Sequence, residues 1–405
     1  MSSPTLTFVF ATERGTPEPL TEHRTKAAVP FAGKYRVIDF TLANCLHSGL
    51  RQVLVLTQYK SHSLHKHLRD GWSLFNPEVG EFITPVPPQM RAGNGWYAGA
   101  IDALRQNRYL IERSPAKDLL LLDGGLVYRM DYAELKRFHR EQQAAVTCAL
   151  RHAGGAYAAG HVQVHIDDAD QITGIGPAPD ELVGEPRDFL APMGVVMIDK
   201  ALLLDELERL AAAAGDADSD LAVQLIGPLI AAGGHRIAAY RFGGERGRVT
   251  PDRYWSDLGC TDAYFRANMD LLKAEPPLDL YQPDWNILTY QGQYPPARTV
   301  PGAHSGTEGI FVNSMLAAGT VIRGGGVSHS VLFPKVEIDD GAIVDEAILF
   351  EGVKVGAEAQ IRRCICDKDV VIPSGTRIGF DWRADAERFE VSDGGIVVIR
   401  KGQNL

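Results

Sequence analysis

The sequence predicts an α/β protein in two parts. A Rossmann-like, mixed-sheet domain is expected over residues 1–275, and a parallel β-helix over 305–405, joined by a connection at 276–304. Three observations carry this. Short apolar strands alternate with helical stretches as far as residue 270. One of these strands, Leu119-Leu120-Leu121-Leu122, is apolar on both faces, as a strand covered by helices on each side must be. In the last hundred or so residues, aliphatic side chains recur at six-residue steps.

In chain order, Thr7-Phe8-Val9-Phe10 and Gln52-Val53-Leu54-Val55-Leu56 read as strands. Between them, Val37 to Leu46 has helical spacing and stops at Gly49, where a left-handed cap is easily formed. Ala145–Leu150, Gly194–Ile198 and Arg236–Tyr240 add strands to a mixed sheet, and such sheets present ligands at the carboxyl ends of their strands. From Pro276 to Pro301 the chain is rich in Pro, Tyr and Gln, as a packed connection would be. Then Leu332, Ile338, Val344 and Phe350 fall six apart, as do the pairs Leu316/Ile322, Val355/Ile361 and Ile372/Ile378. Gly319, Gly341, Gly356 and Gly375 punctuate them, the pattern of a triangular β-helix with one aliphatic residue pointing inward per face. Gly394–Ile399 is expected to return as a final strand.

Composition narrows the function. A net charge of −10 argues against nucleic acid as a partner, because phosphate backbones are bound by clustered Lys and Arg. No stretch approaches the roughly 18 apolar residues of a membrane span. Cys45, Cys148, Cys260, Cys364 and Cys366 are odd in number and scattered, which suggests reduced thiols and a cytoplasmic location. Cys364-x-Cys366 has no second pair, so zinc is not expected there, and His62, His65 and His67 are read as structural.

The stretches VPFAGKYRVIDFTLANCLHSGLRQVLVLTQYKSHSL, WYAGAIDALRQN, YRMDY and YWSDLGCTDAYFRANMDL, with the β-helix behind them, resemble the bacterial ADP-glucose pyrophosphorylase (glucose-1-phosphate adenylyltransferase) family over almost the whole chain. The resemblance implies a nucleotidyltransferase domain joined to a left-handed β-helix, assembly into tetramers, and regulation by small metabolites. It also implies a magnesium-dependent reaction that joins ATP to glucose 1-phosphate and releases pyrophosphate.

Carried over residue by residue, the resemblance also exposes departures. The family's nucleotide loop looks like A-G-G-x-G-T-R-L-x-P-L-T; here Thr12 and Glu13 stand for two glycines, and the arginine after the threonine is missing. Arg14, Gly15 and Thr16 remain. Backbone N–H groups must approach phosphates closely, which favours glycine. A carboxylate about 4 Å from a phosphate costs on the order of 1 kcal/mol even in water. The family's S-G-D-H segment becomes Asp123-Gly124-Gly125-Leu126, so Gly125 takes the position of a magnesium ligand, while the second ligand survives as Asp257. Asp123 is the possible substitute, expected roughly 6 to 7 Å back along an extended strand. On the sugar-phosphate side Ala178 and Val223 stand where lysines are implied. Lys26, Gln58, Gly99 and Asp102 remain of the nucleotide site, and Arg24, Arg36 and Arg388 match the family's anion-effector arginines.

Together the departures favour a non-catalytic regulatory or structural subunit. Its expected partners are a catalytic paralogue or itself, in a homo- or hetero-tetramer, and an anionic sugar-phosphate or nucleotide effector. It would need no cofactor. The alternative is an active adenylyltransferase that uses magnesium, with Asp123 as relocated ligand. A β-helix acyltransferase is the weakest reading, since only His329 could serve it.

Overall fold

The computed structural model describes residues 4–13, 17–89, 95–153, 162–178, 189–210, 220–244, 247–248, 253–403 and 405. The chain divides into two compact units: Met1–Glu13, Phe40–Ser61 and Trp72–Trp255 in the first, Arg14–Asp39, His62–Gly71 and Ser256–Leu405 in the second. No helix among the described residues is long and apolar enough to cross a membrane.

The first unit is built on a nine-stranded mixed sheet. Its strands are β1 (Thr5–Ala11), β2 (Gln52–Thr57), β3 (Phe82–Val86), β4 (Asp118–Asp123), β5 (Val146–Ala153), β6 (Val162–Ile166), β7 (Ile172–Pro177), β8 (Phe189–Asp199) and β9 (Ile237–Arg241). The order is β7-β6-β8-β4-β1-β2-β3, with β5 also pairing β8 and β9 pairing β5. β1 lies between β2 and β4 and is parallel to both, whereas β8 runs antiparallel to β4. The four leucines of β4 are fully buried, as their unbroken apolar run demands. Register places Asp123 beside Phe10 and Thr57 beside Ala11, so the carboxyl ends of the three central strands share one edge. The β6–β7 hairpin was not foreseen from the sequence, because its half-exposed strands alternate only weakly.

Among the described residues, eight helices of five residues or more precede the β-helix: α1 (Val37–His47), α2 (His62–Gly71), α3 (Ala100–Gln106), α4 (Arg108–Arg113), α5 (Tyr132–Glu141), α6 (Lys200–Leu210), α7 (Leu221–Ala232) and α8 (Thr261–Asp270). α7 is capped by Asp220, whose carboxylate accepts from the Ala222 N–H at 2.7 Å.

The second unit contains the left-handed parallel β-helix. Its strands stack in register, Ile322 on Ile338, then Val355, then Ile372, and all four side chains are buried. A second face stacks Val327, Val344, Ile361 and Ile378. A third stacks Leu332, Leu349, Cys366 and Ile399. The six-residue step read from the sequence is the spacing for two of the three faces; the step to the third is five, so Leu349 rather than the expected Phe350 stands in the stack. Cys364 and Cys366 are buried in this core as free thiols, their sulfurs 3.8 Å apart. Val397–Ile399 closes the stack beside Gln360–Cys366, and Trp285 of the 276–304 segment is fully buried.

Candidate active site and anion cavity

At the strand edge of the first unit, β4 ends at Asp123 and the chain turns sharply. The Gly124 N–H donates to the Phe10 carbonyl at 2.9 Å, and a Cβ on Gly124 would sit 2.8 Å from that oxygen, so only glycine fits. The Gly125 N–H then folds back to the Asp123 Oδ1 at 2.7 Å. The turn brings the Asp123 carboxylate to the backbone of Gly125. Gly194 supports it from β8: with φ +75° and a Cβ site 2.9 Å from the Asp123 Cβ, it allows β8 to pass close behind the turn.

Asp257, in the second unit, is held differently. The buried Lys26 ammonium lies 2.5 Å from its Oδ1. Magnesium takes oxygen donors at about 2.1 Å, from one or two carboxylates and phosphate oxygens. Asp257 is thus paired with a lysine; in the first unit Asp123 takes a backbone amide, and Gly125 offers no side chain.

Around the same edge, Gln58 follows β2 and grips the backbone of Tyr97 from both ends: its Oε1 accepts from the N–H at 2.5 Å and its Nε2 donates to the carbonyl at 3.3 Å. Gly99 (φ 103°) opens α3. Asp102 accepts from the Ala98 N–H, Arg105 and Gln106, which hold its carboxyl below the usual range despite partial burial. Arg14, Gly15 and Thr16 lie outside the described residues. Ala178 packs against the apolar cluster of Ala153, Phe189 and Ala191, and Val223 sits in the first turn of α7, half-buried. Neither position offers a cation. Near them the charge is negative: desolvation, and after it the charge of Glu13, hold the Asp220 carboxyl above its ordinary range.

The second unit contains a cavity of about 900 Å³. Lys34, Arg36, Lys66, Lys335 and Lys368 line it, against two acids, Asp70 and Glu351, with Tyr290 and Tyr294 among the aromatic walls. Asp70 is paired with Arg69 at 2.7 Å. Glu351 accepts from the Tyr294 hydroxyl at 2.8 Å and lies 3.4 Å from the Lys368 ammonium. Burial works against the Glu351 carboxylate, but Tyr294 and the two lysines outweigh it and keep its pKa low. Tyr294 in turn is pushed up to about 12 by desolvation and by its bond to Glu351. Burial, then repulsion from Arg36, lowers Lys368; burial also lowers Arg36, which donates to the Ser63 carbonyl at 2.8 Å.

The three effector arginines do not come together in this cavity. Arg36 lines it; Arg388 is exposed elsewhere in the unit, over the Phe389 ring. Arg24 is buried and donates to both oxygens of Asp367, at 2.8 and 3.0 Å, and to the Leu20 carbonyl. The sequence reading missed Lys335 and Lys368, which lie in turns of the β-helix. The signal was there: stacking Leu349 on Cys366 puts Glu351 and Lys368 in one column. His67 has the acidic partner that the sequence did not reveal, Asp39 at 2.5 Å, both side chains being buried.

Comparison with known proteins now decides the family. A nucleotidyl transferase family profile matches residues 18–274, and a GlmU-like C-terminal hexapeptide profile matches 295–399. "Glucose-1-phosphate adenylyltransferase 2" of Vibrio cholerae is 48% identical over 388 residues, 94% of this chain and 93% of the relative. The protein of that name from Vibrio vulnificus strain YJ016 is 47% identical over 97% of the chain and 98% of the relative. "Glucose-1-phosphate adenylyltransferase" of Koribacter versatilis is 38% identical over 96% and 93%.

The chain belongs to the glucose-1-phosphate adenylyltransferase family.

Proposed function

We propose that this chain is a non-catalytic, regulatory member of the glucose-1-phosphate adenylyltransferase family. It assembles with a catalytic paralogue, or with itself, as a homo- or hetero-tetramer, and takes up an anionic sugar phosphate or nucleotide in the cavity around Arg36 and Lys368. The observation that carries this reading is the state of the metal positions: Lys26 bridges Asp257 at 2.5 Å and Gly125 offers no donor. The loss of cations at Ala178 and Val223 supports it, because phosphoryl transfer depends on fixed positive charge around the moving phosphate. Without those groups the substrates' negative charge meets Glu13 and Asp220 instead.

The second reading is an active adenylyltransferase using Asp123. It is favoured by the turn that brings the Gly125 N–H to the Asp123 carboxylate, and by relatives that carry the enzyme's name, one of them 48% identical. An assay of magnesium-dependent pyrophosphate release from ATP and glucose 1-phosphate separates the two. The regulatory role is tested by adding the chain to a catalytic paralogue and measuring the effector response with and without it. An unchanged response rules the role out.

A further inference from the structure

The edge of the first unit's sheet opposite the Asp123 turn brings two acids and a histidine together. β4 begins at Asp118 and β8 ends at Asp199, and their antiparallel register sets these two residues directly across from each other. Asp118 stands about 17 Å from Asp123 along the strand, at ~3.3 Å per residue, so the cluster is remote from the nucleotide edge. His139, in the last turn of α5, supplies the third member. One ligand atom from each of Asp118, His139 and Asp199 lies within 4.8 Å of the other two.

The charges of the cluster call for a cation. Carboxylates directly opposed on antiparallel strands repel each other. Arg140 offsets one of them, donating to the Asp118 Oδ2 at 3.1 Å, and Lys136 on the same helix also feels the Asp118 charge. Among the described residues no lysine or arginine lies within ion-pair distance of Asp199, whose neighbour is the His139 Nε2 at 3.5 Å. Burial lowers the His139 pKa although both carboxylates oppose it, so the ring is neutral at physiological pH and offers a lone pair rather than a countercharge.

The geometry is that of a metal ligand with its supporting bond in place. The His139 Nδ1 lies 2.8 Å from the Thr147 hydroxyl of β5, and both side chains are buried. The tautomer in which Nδ1–H donates to that oxygen leaves Nε2 facing the carboxylates as an acceptor, and ligating histidines are oriented in this way through their other nitrogen. Donors bound to zinc at ~2.0–2.1 Å and at the tetrahedral angle stand about 3.4 Å apart. The 3.5 Å between Nε2 and the Asp199 Oδ1 matches that edge, and is long for a hydrogen bond. The Asp199 side chain is 49% exposed against 3% for His139, so the cluster opens to solvent on one side, as an entering ion and a fourth, water ligand require.

We propose that Asp118, His139 and Asp199 bind a divalent transition-metal cation, zinc foremost, which pins α5 and the end of β8 to the start of β4. The imidazole donor favours such an ion over magnesium, which prefers oxygen ligands. The site does not depend on whether the chain is catalytic. Titration calorimetry of the metal-stripped full chain with zinc chloride tests it, and saturable binding is expected, changed less than twofold by a tenfold excess of magnesium chloride. Asp199→Asn should weaken zinc at least tenfold, while its metal-free melting temperature does not fall below the parent's, because a repelling charge has been removed. Thr147→Val keeps all three ligands and removes only the orienting bond, and should weaken zinc about tenfold. His62→Ala, outside the cluster, should change the affinity less than twofold. Zinc should raise the melting temperature of the parent and leave that of Asp199→Asn unmoved. Absence of saturation, an affinity untouched by Asp199→Asn, a loss with His62→Ala instead, or displacement of zinc by equimolar magnesium would overturn the proposal and leave the three groups as a structural cluster only.

Discussion

Removing the Arg24 guanidinium separates a structural role from an effector role. Arg24 and Asp367 are both buried, with side-chain exposures of 6% and 5%, and are joined by two bonds of 2.8 and 3.0 Å. Arg24 also donates to the Leu20 carbonyl at 3.0 Å, and its guanidinium lies 5.9 Å from the Phe350 ring centre. Taking one partner from a buried ion pair leaves the other charge desolvated and uncompensated, which costs about 3–5 kcal/mol. Arg24→Met should therefore lower the melting temperature of the β-helix unit on the order of 10 °C, at about 2–4 °C per kcal/mol for a unit of this size. The double variant Arg24→Met/Asp367→Leu should be less damaged than the single one, because no bare charge remains. Differential scanning calorimetry of the parent and the two variants reads both effects. If Arg24→Met melts within about 2 °C of the parent, or the double variant melts lower than the single, the pair is not the structural tie described here.

Other outcomes follow from the same geometry. Lys368 has a lowered pKa, so its charge is complete at acid pH and is lost as pH rises through a value already below the ordinary lysine range near ~10.4. Anion affinity of the cavity should accordingly fall on the alkaline side, and Lys368→Arg should move the fall to higher pH in a titration of Kd against pH. Ile338 is fully buried between Ile322 and Val355, and Ile338→Ala should cost about 2–5 kcal/mol in denaturant unfolding followed by circular dichroism. A cost under about 1 kcal/mol would mean the stack can collapse around the gap. Gly194→Ala places a Cβ 2.6 Å from the Leu126 Cδ1 at a positive φ, and should destabilise the first unit and displace the Asp123 turn.

What the sequence disclosed follows from the range of each interaction. β4 was legible because four consecutive leucines have one physical use in an α/β sheet, and the β-helix because its period is local and repeats. The turn at Gly124 and Gly125 was legible as a break, but not as a fold-back, since that depends on the carbonyl of Phe10 more than a hundred positions earlier. Arg24 looked like a free effector arginine because Asp367 lies 343 positions away. Lys26 and Asp257, 231 apart, concealed each other in the same manner. The cationic cavity was half visible through Arg36; Lys335 and Lys368 became visible only once the turns were stacked.

The proposal of a non-catalytic chain is tested most directly by turnover. The purified chain, given ATP, glucose 1-phosphate and magnesium, should release no pyrophosphate above an enzyme-free control, with or without anionic effectors. Pyrophosphate release that follows enzyme concentration and disappears in Asp123→Asn would contradict it, and would establish Asp123 as a working ligand.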